Sequence, residues 1–411
     1  MSVGAVDKGE AWDLTALGEL GTLIRGVTYK KAQARDSPAD GYLPLLRATN
    51  IGAVLSFDEP IYIPTSVVKP DQMLVVGDVV IAMSSGSLRV VGKSAPLLDD
   101  WEGTFGAFCA VFRPGPTLIP EFISKILSAP SYRSRISKLA AGANINNLTR
   151  DHLLTMDIPV PPLDEQRRIV ATLDEALGEI SELKRNRQAK IEAFDDVKAS
   201  MLSKLLQPNQ GAAVSEGWAT ARLGELCSLQ NGYAFKSKEY SESGAFLMRI
   251  GNVQDGFLTL DKPAFVSLDQ DGLERFALNA GDMLVSLTGN IGRVGEVKAE
   301  HLPAALNQRV CRITVRATSL EQGFLFYFLR STQFRDHLGK AGHGAAQQNV
   351  SMSEIAEVQI PLPPLDEQRR IVATLDKAAL AADSGKAAAT EELELADAMA
   401  SSLMTELLTA A

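Results

Sequence analysis

Cysteine, long apolar runs and a basic start are all scarce in this chain of 411 residues, and each scarcity excludes a class of protein. The three cysteines, Cys109, Cys227 and Cys311, are too scattered for a disulfide framework and favour a reducing cytoplasm. No apolar run approaches the roughly 18 residues that span a bilayer. No secretory signal is visible at the N-terminus. The sequence therefore predicts a cytoplasmic protein that is not membrane-bound.

Signatures of catalysis are also missing. The segment from Gly86 to Ser94 resembles a phosphate-binding loop, but five residues separate its glycines where that motif needs four. Asp282, Glu296 and Lys298 loosely match a metal-dependent nuclease pattern that is common by chance. The histidines lack metal-ligand spacing with the cysteines, and no Asn- or Asp-Pro-Pro-aromatic motif of a DNA methyltransferase occurs. We expect no metal and no catalytic centre.

A basic excess, the usual footprint of a nucleic-acid-binding protein, is lacking as well, since the net charge is −9. The negative charge is unevenly distributed along the chain, so the net charge does not exclude nucleic-acid binding. Residues 365–411 carry 4 basic and 9 acidic groups, and thus five of the nine excess negative charges. Residues 1–162 carry 15 basic and 16 acidic groups, and residues 207–364 carry 14 and 16. These near-neutral parts permit a local basic face, but the charge alone does not demonstrate DNA binding.

The strongest feature of the sequence is an internal repeat. Residues 158–176 read IPVPPLDEQRRIVATLDEA and residues 360–378 read IPLPPLDEQRRIVATLDKA. Of these 19 positions 17 match, at an offset of 202. Fainter matches follow at nearly the same offset, such as LGEL at 17–20 and 223–226. The chain therefore consists of two copies of one unit of about 200 residues.

The two copies have diverged unevenly. The 19-residue segment is nearly unchanged, whereas the residues before it have drifted far. Random drift after a recent duplication is the plainer explanation, but drift alone should not spare one window so sharply. The pattern indicates that one part of each copy does the same task twice, while the other part does two related but different tasks.

Each copy begins with a β-rich part. The runs Met73–Met83 and Met283–Leu287 are rich in Val, Ile and Leu, and turn residues such as Gly77 punctuate them. One helical stretch is predicted to follow in each copy, near Pro120–Leu139 and Leu320–Leu338. The fold class is therefore predicted as α/β (mixed α+β), with two globular domains.

A long amphipathic helix is predicted to close each copy. Pro161-Pro162 and Pro363-Pro364 stop any preceding helix, and the Leu-Asp-Glu after each pair suits a helix first turn. Apolar residues then recur at spacings of three and four over about 45 residues, which corresponds to about 65 Å of helix. We expect Gly385 to interrupt the second helix.

Two such helices in one chain can bury each other's apolar stripes as an antiparallel coiled coil with a globular domain at each end. Two ordinary helical hairpins, each packed on its own domain, are the alternative. The predicted globular domains are 1–162 and 211–364, and the predicted helical regions are 163–210 and 365–411.

The motif PPLDEQRRIVATLD, present twice, resembles the specificity subunits of Type I restriction-modification systems, and the resemblance covers the whole chain. It implies that 1–162 and 211–364 are target-recognition domains, each reading one half of a split DNA site. It implies that 163–210 and 365–411 are spacer helices that fix the half-site separation and dock two methyltransferase subunits. The implied partners are double-stranded DNA, these methyltransferase subunits and restriction/translocase subunits. S-adenosylmethionine and ATP are expected on the partner subunits only.

Polar loops at similar places in both copies are candidates for DNA contact, because base edges are read by Arg, Lys, Asn and Gln, and phosphates by Lys, Arg and hydroxyls. The loops at 28–35 and 231–240 are favoured, because aromatic and basic residues interleave there. A solvated face or a turn is the plainer interpretation of each loop. The candidates in the first copy are Tyr29, Lys30, Lys31, Arg35, Ser84, Arg89, Asn144, Asn146 and Asn147. Those in the second copy are Tyr233, Lys236, Lys238, Tyr240, Thr288, Asn290, Arg293, Asn307, Gln308, Arg309, Gln347, Gln348 and Asn349.

The charged starts of the two long helices are the predicted docking residues for the partner protein. Helix capping and surface ion pairs can account for the same residues at the same time. A coiled-coil scaffold that binds protein only is the competing function, and it predicts no sequence-specific DNA binding. The docking residues are Glu165, Gln166, Arg167, Arg168, Glu367, Gln368, Arg369 and Arg370.

Overall fold

The computed structural model describes residues 12–140, 146–206, 218–341 and 349–408. The chain divides into two compact units. Each unit takes one part of each long helix, because unit 1 comprises Met1–Arg187 with Glu391–Ala411, and unit 2 comprises Gln188–Thr390.

The first half of the chain contains eleven short strands and five helices among its described residues. The strands are β1 (Leu14–Ala16), β2 (Gly21–Arg25), β3 (Tyr42–Leu46), β4 (Ile61–Pro64), β5 (Val79–Ala82), β6 (Ser84–Ser85), β7 (Ser94–Pro96), β8 (Thr104–Phe105), β9 (Cys109–Pro114), β10 (Asn146–Asn147) and β11 (Asp157–Pro159). The helices are α1 (Leu17–Leu20), α2 (Pro120–Ser128), α3 (Pro130–Ala140), α4 (Arg150–Leu154) and α5 (Leu163–Leu206).

The second half has a similar order of elements, with ten strands and five α-helices among its described residues. Its strands are β12 (Ala219–Arg222), β13 (Cys227–Asn231), β14 (Tyr240–Ser241), β15 (Ala245–Met248), β16 (Phe265–Val266), β17 (Met283–Ser286), β18 (Val294–Glu296), β19 (Ala304–Leu306), β20 (Val310–Val315) and β21 (Gln359–Leu362). Its helices are α6 (Leu223–Leu226), α7 (Gln322–Leu329), α8 (Thr332–Ala341), α9 (Met352–Ala356) and α10 (Leu365–Leu408).

The sheets of the two units have closely similar topologies, and β14 is an additional edge strand in unit 2. In unit 1 a four-stranded antiparallel sheet has the order β2-β9-β5-β7, and a three-stranded sheet has the order β4-β3-β8 with β3 and β8 parallel. Unit 2 contains the matching orders β13-β20-β17-β18 and β14-β16-β15-β19, with β15 and β19 parallel. The sequence repeat is therefore a repeat of the fold, and the predicted α/β (mixed α+β) class is confirmed.

The main core of each unit lies between its antiparallel sheet, its short helices and its parts of the long helices. In unit 1, Phe112 of β9 and Phe122 of α2 are fully buried in one cluster with Ile169 of α5. In unit 2, Phe324 of α7 and Ile371 of α10 lie in the equivalent cluster. Burying a side chain of this size stabilises the fold by about 1.5–3 kcal/mol.

An aspartate pairs with an arginine across each antiparallel sheet. Arg113 donates from Nε and Nη2 to the two carboxylate oxygens of buried Asp78, at 2.7 and 2.8 Å. Arg312 contacts Asp282 at 3.3 Å in unit 2. The glycine before each aspartate has a positive φ, 93° at Gly77, which a side chain would oppose. These interactions explain why both copies have Gly-Asp at this place, at residues 77–78 and 281–282.

Each predicted helical stretch after the β-rich part is in fact two helices. In the first half α2 ends at Ser128 and α3 begins at Pro130, because a proline removes a backbone donor and disfavours helix in the residue before it. In the second half α7 ends at Leu329 and α8 begins at Thr332. The prediction of a single stretch per copy was therefore wrong in its continuity.

The two long helices contribute antiparallel segments to each unit. In unit 1, Lys184 and Arg187 of α5 form ion pairs with Asp397 and Glu392 of α10, in that order. In unit 2, Asp195 pairs with Lys386, and Lys198 with Asp383. The partner numbers fall as the α5 numbers rise, so the segments run in opposite directions, as predicted for the coiled coil.

Gly385 does not interrupt the second helix, which is continuous from Leu365 to Leu408. A Cβ at this glycine would lie 2.3 Å from Cζ of Phe194 on α5. The residue is therefore small because an aromatic ring packs against it, and the prediction of a break was wrong. The i to i−4 bonds of a long helix tolerate one glycine at about 1 kcal/mol.

Candidate nucleic-acid interface

The favoured basic loops carry one lysine at the same structural position. The backbone N–H of Lys30 donates to Oε1 of Gln33 at 2.8 Å, and that of Lys236 donates to Oε2 of Glu239 at 2.6 Å. Both lysines are exposed and stand immediately before a short 3-10 turn. Because their side chains are free to reach solvent, both are suited to contact phosphates.

The aromatic residues of these loops have less uniform positions. Tyr29 packs against a small apolar cluster of unit 1, so its ring is half-buried. Its place in unit 2 belongs to buried Phe235 rather than to Tyr233, which is 41% exposed and lies edge-on to Phe235 at 4.9 Å. Tyr240 is 40% exposed at the start of β14. The loops are therefore partly core and partly surface.

The remaining basic residues of these loops are exposed. Lys31 begins the 3-10 turn of unit 1, and Lys238 lies within that of unit 2. The guanidinium of Arg35 lies over the ring of Tyr42 at 5.3 Å from its centroid, while its backbone pairs with Tyr62 of β4. A cation–π contact leaves the N–H groups of an arginine available to a second partner.

The structure joins two of the predicted clusters that are far apart in sequence. β6 pairs with β10, so that Ser84 faces Asn147 in unit 1. Thr288 pairs with Asn349 in unit 2 through an isolated bridge. Each unit therefore presents a hydroxyl residue beside an exposed asparagine, a combination that can contact base edges or phosphates.

The sequence pattern aligns Ser84–Arg89 with Thr288–Arg293, but Arg89 and Arg293 are not structurally equivalent. Ala82 N donates to Lys93 O and Ser286 N donates to Arg293 O, so Lys93 holds the place of Arg293. Arg89 lies exposed in the longer loop of unit 1. The guanidinium of Arg293 is half-buried and donates to Gln254 Oε1 at 2.9 Å.

Asn290 belongs to the same internal group as Arg293. With its amide oriented so that the oxygen accepts, Asn290 receives hydrogen bonds from Nη2 and Nη1 of Arg293 at 2.9 and 3.2 Å. Arg293 therefore orients this loop, and Arg89 is the more accessible of the two arginines.

A further group of predicted residues lies in a turn before β20 of unit 2, and this turn has a counterpart before β9 in unit 1. These are the β8–β9 turn (residues 106–109) and the β19–β20 turn (residues 307–310). The second contains the predicted residues Asn307, Gln308 and Arg309, of which the last two are exposed. The first contains Phe108, whose side chain is 68% exposed. Sequence reasoning missed the turn in unit 1 because it carries no polar side chain.

A cleft of about 500 Å³ lies beside the β8–β9 turn of unit 1. Ser84, Asn147 and Phe108 line it together with Arg25 and Arg150. Arg150 donates to the backbone oxygen of Leu23 at 2.7 Å, whereas Arg25 is exposed at the end of β2. The cleft combines hydroxyl, amide, guanidinium and aromatic groups, the chemistry that reads nucleic-acid bases and backbone.

Four predicted residues fall at the edge of what the structure describes. Asn144, Gln347 and Gln348 lie outside the described residues. The backbone of Asn146 pairs with Ser85, and its side chain lies outside them.

The motifs that loosely matched enzymes have structural roles. Ser94 begins strand β7, whereas a phosphate-binding loop of the P-loop type opens a helix. Asp282 accepts from Arg312 and from the hydroxyl of Thr314 at 3.1 Å. Glu296 accepts from Gln322 at 3.0 Å. In the described ranges no three histidine, cysteine, aspartate or glutamate side chains gather as metal ligands.

All three cysteines are buried and unpaired. Burial raises the pKa of each thiol to about 12, so the thiolate that would act as a nucleophile is disfavoured. No helix in the part of the chain that the structure describes is both long enough and apolar enough to cross a bilayer.

The glutamine at each helix start is a buried clamp. Gln166 accepts from the backbone N–H of Ile119 at 2.8 Å and donates to the carbonyls of Thr117 and Pro161 at 2.9 and 2.8 Å. Its side chain is 0% exposed. It therefore ties the first turn of α5 to the loop before α2.

Gln368 makes the same three bonds at the start of α10. It accepts from Glu321 N at 2.8 Å, and it donates to Ser319 and Pro363, each at 2.8 Å. Its side chain is also 0% exposed. The docking prediction therefore does not hold for Gln166 and Gln368, because a buried, fully bonded amide is closed to a partner protein.

The charged residues of the helix starts form one arrangement twice. Arg168 donates to both carboxylate oxygens of Glu165 at 2.8 and 2.6 Å, and Arg370 does the same to Glu367 at 2.7 and 2.6 Å. The hydrogen bond from the arginine lowers the pKa of each glutamate. Such exposed pairs add little stability, about 0.3–0.5 kcal/mol each.

The second arginine at each helix start is also exposed. Arg167 pairs with Asp164 at 2.7 Å and Arg369 pairs with Asp366 at 3.0 Å. Both arginine side chains are 63% exposed. The chain thus presents the same charged surface at the start of both long helices, and its ion pairs contribute little to stability.

A family model described as the Type I restriction modification DNA specificity domain matches residues 9–193 and again residues 215–395. The chain is 31% identical over 401 residues to the Type I restriction enzyme EcoKI specificity subunit of Escherichia coli K12, a match that covers 93% of this chain and 85% of that protein. It is 30% identical to the StySPI specificity subunit of Salmonella potsdam, with 91% and 83% covered.

Two solved structures share the fold. One is a chain from a study of complex assembly and conformational transition of the type I R-M system, with a TM-score of 0.77, 22% identity, and 97% and 98% of the two chains covered. The other is the HsdS subunit from Thermoanaerobacter tengcongensis, with a TM-score of 0.58, 23% identity, and 100% and 99% covered. With both halves matched by the family model, the chain belongs to the family of Type I restriction-modification DNA specificity subunits.

Proposed function

We propose that this chain is the specificity subunit of a Type I restriction-modification enzyme and that it binds a split sequence in double-stranded DNA. Each recognition region binds one half-site, and the chain itself carries no catalytic centre. The observation that carries this proposal is a repeated backbone arrangement whose equivalent positions carry different side chains. Both units hold a hydroxyl–asparagine pair beside a turn, but one exposed position of that turn carries Phe108 in unit 1 and Arg309 in unit 2.

Different side chains at equivalent positions are what recognition of two different half-sites requires. A protein that read the same half-site twice would keep the same contact residues in both copies, because base edges differ in their donors and acceptors. The lysines at the shared position, Lys30 and Lys236, are the same in both units. Phosphates are identical at every base pair, so invariant lysines suit them and variable side chains suit the bases.

The helices supply the second part of the proposal. Each long helix begins with the same exposed pairs, so both present the same surface to the same kind of partner. We propose that these surfaces dock two methyltransferase subunits and that the restriction/translocase subunits join through the assembly. S-adenosylmethionine and ATP then bind to those partner subunits, and the assembly works in the cytoplasm.

The protein-only scaffold is the weaker candidate. It gives no reason for a cleft that combines guanidinium, hydroxyl and amide groups, nor for unequal side chains on equal backbone positions. The family model covers the recognition regions as well as the helix starts. Both observations favour recognition of DNA.

A map of methylated adenines in the host genome, with and without this gene, tests the recognition role. The expected result is the loss of one split motif, two short half-sites around a fixed gap, when the gene is deleted. If the same methylated motifs remain while the methyltransferase is expressed, the chain does not direct methylation in that host. Expression of the methyltransferase is verified by mass spectrometry in both strains.

Charge reversal at the helix starts tests the docking role. We expect replacement of Arg167, Arg168, Arg369 and Arg370 by Glu to abolish co-purification with the methyltransferase, because four exposed cations become anions. The exposed pairs contribute little to folding, so the thermal unfolding midpoint should stay within a few degrees. Reversal of Arg185, which lies exposed elsewhere on α5, is the matched control. Unchanged co-purification would move the docking surface elsewhere.

A further inference from the structure

The β8–β9 and β19–β20 turns are held by the same backbone hydrogen bonds. Cys109 N donates to Gly106 O at 2.8 Å within the first turn, and Val310 N donates to Asn307 O at 3.0 Å within the second. The carbonyl of Phe108 accepts from the backbone N–H that follows β5, Met83 N, at 2.8 Å. These bonds fix where the Cα of residue 108 lies in unit 1.

The same bond exists in unit 2, where the carbonyl of Arg309 accepts from Leu287 N at 3.1 Å. A glycine of the neighbouring strand end closes each turn from the other side. A Cβ on Gly26 would lie 2.1 Å from Gly106 O, and one on Gly232 would lie 2.2 Å from Asn307 O. Phe108 and Arg309 therefore occupy one backbone position in two copies of the frame.

The side chains at this position differ in chemistry and are both accessible. Phe108 is 68% exposed, which leaves most of its ring in contact with water. Arg309 is exposed, and its guanidinium forms no hydrogen bond or ion pair with any residue in the described ranges. Packing among the described residues therefore explains neither side chain, and both are available to a ligand.

The residue on the neighbouring strand end also differs between the two units. Beside Phe108 the strand end carries Arg25, which pairs with Ala110 in the sheet. Beside Arg309 the same strand position carries Asn231, which pairs with Cys311. The cation thus stands on the strand end in unit 1 and on the turn in unit 2. Both units therefore have an exposed guanidinium at or beside this position, but it belongs to a different element of the frame in each.

We propose that residue 108 and residue 309 determine which base each half-site carries at one equivalent position. This rests on the proposed function. Phe108 contacts the C5-methyl group of a thymine, and Arg309 donates two hydrogen bonds to O6 and N7 of a guanine. These are the base partners that suit an apolar ring and a guanidinium in the major groove. The polar pairs Ser84–Asn147 and Thr288–Asn349 flank the two contacts.

Competition binding with the assembled specificity–methyltransferase complex tests the proposal. The wild-type motif is first defined by the methylation map, and every base pair of each half-site is then varied in short duplexes. Arg309→Ala is expected to lose about 5- to 150-fold of the preference for guanine at one position of one half-site. Phe108→Ala is expected to lose about fourfold of the preference for thymine at one position of the other, which corresponds to one buried methyl group.

The reciprocal variant gives the sharpest result. Phe108→Arg places the chemistry of unit 2 on the same backbone position of unit 1, so the preference at that base pair should change from thymine towards guanine. The other half-site should stay unchanged and serves as an internal control. Phe57→Ala, which removes an exposed aromatic residue elsewhere in unit 1, should change no base preference.

Three results would overturn the proposal. Equal weakening at all sequences would make Arg309 a phosphate contact, and loss of the methyltransferase from the Phe108→Ala complex would make residue 108 a protein contact. Unchanged base preferences in variants that unfold at the wild-type temperature would exclude both residues from readout. A wild-type complex with no preferred split sequence would instead remove the proposed function itself, so the two failures are distinguishable.

Discussion

Replacement of Gln166 by Ala removes three hydrogen bonds, two of which tie the start of α5 to the loop before α2. The N–H of Ile119 and the carbonyls of Thr117 and Pro161 lose their partner in a place where Gln166 itself is 0% exposed. An unsatisfied buried donor costs about 1–3 kcal/mol, and each lost bond to a carbonyl about 0.5–1.5 kcal/mol. We expect a loss of about 4 kcal/mol in the free energy of unfolding.

Urea unfolding followed by tryptophan fluorescence measures this loss, since Trp12 packs against the same core as Ile169 of α5. With a slope of about 3 kcal/mol per molar, the midpoint for unit 1 should fall by more than about 1 M. Midpoints are compared because a chain of two units need not unfold in one step. Gln368→Ala should lower the midpoint of unit 2 by a similar amount, because its three bonds have nearly the same lengths.

Gln188→Ala is the matched control, because this glutamine lies exposed on the same helix and bonds only to Glu192 among the described residues. Its effect should stay within about 0.5 kcal/mol. If Gln166→Ala shifted the midpoint no more than Gln188→Ala, the clamp would contribute nothing to stability. A loss of methyltransferase binding without a loss of stability would then return the buried glutamine to the docking surface.

Two further predictions concern the recognition loop and the helix pair. Changing Lys236 and Lys238 to Ala should weaken binding at all DNA sequences alike and lower the slope of log K against log salt by about 1 per contact, measured by titration at several salt concentrations; an altered base preference would instead make them base readers. Gly385→Ala should destabilise unit 2 by about 1–3 kcal/mol because its Cβ would meet Phe194, whereas Gly178→Ala, with open space around it, should raise stability by about 0.5–1 kcal/mol in the same urea assay. Equal effects of the two glycine substitutions would contradict the packing of this ring.

Much of the candidate site was readable from residue types, but its grouping was not. Arg309 and Asn349 were predicted from residue type, because only a few types of side chain form specific hydrogen bonds to base edges. The sequence pattern aligned Arg89 with Arg293, whereas the backbone bonds align Lys93 with Arg293, since the intervening loops differ in length. It passed over Phe108, because one apolar residue in a turn carries no signal without its neighbours.

Residue order was enough to predict the duplication, the fold class, the family resemblance and the start of each long helix. These depend on local chemistry that residue order carries directly: the proline pairs, the apolar spacing of three and four, and the repeated motif. Which of these residues are buried depends on the tertiary structure. Gln166 reads as one more polar residue of an exposed helix start, yet it is buried because the loop before α2 closes over it. Gly385 reads as a helix break, yet it makes room for Phe194. Both outcomes depend on contacts with segments that are far away in sequence, and such contacts cannot be predicted from the local residue pattern.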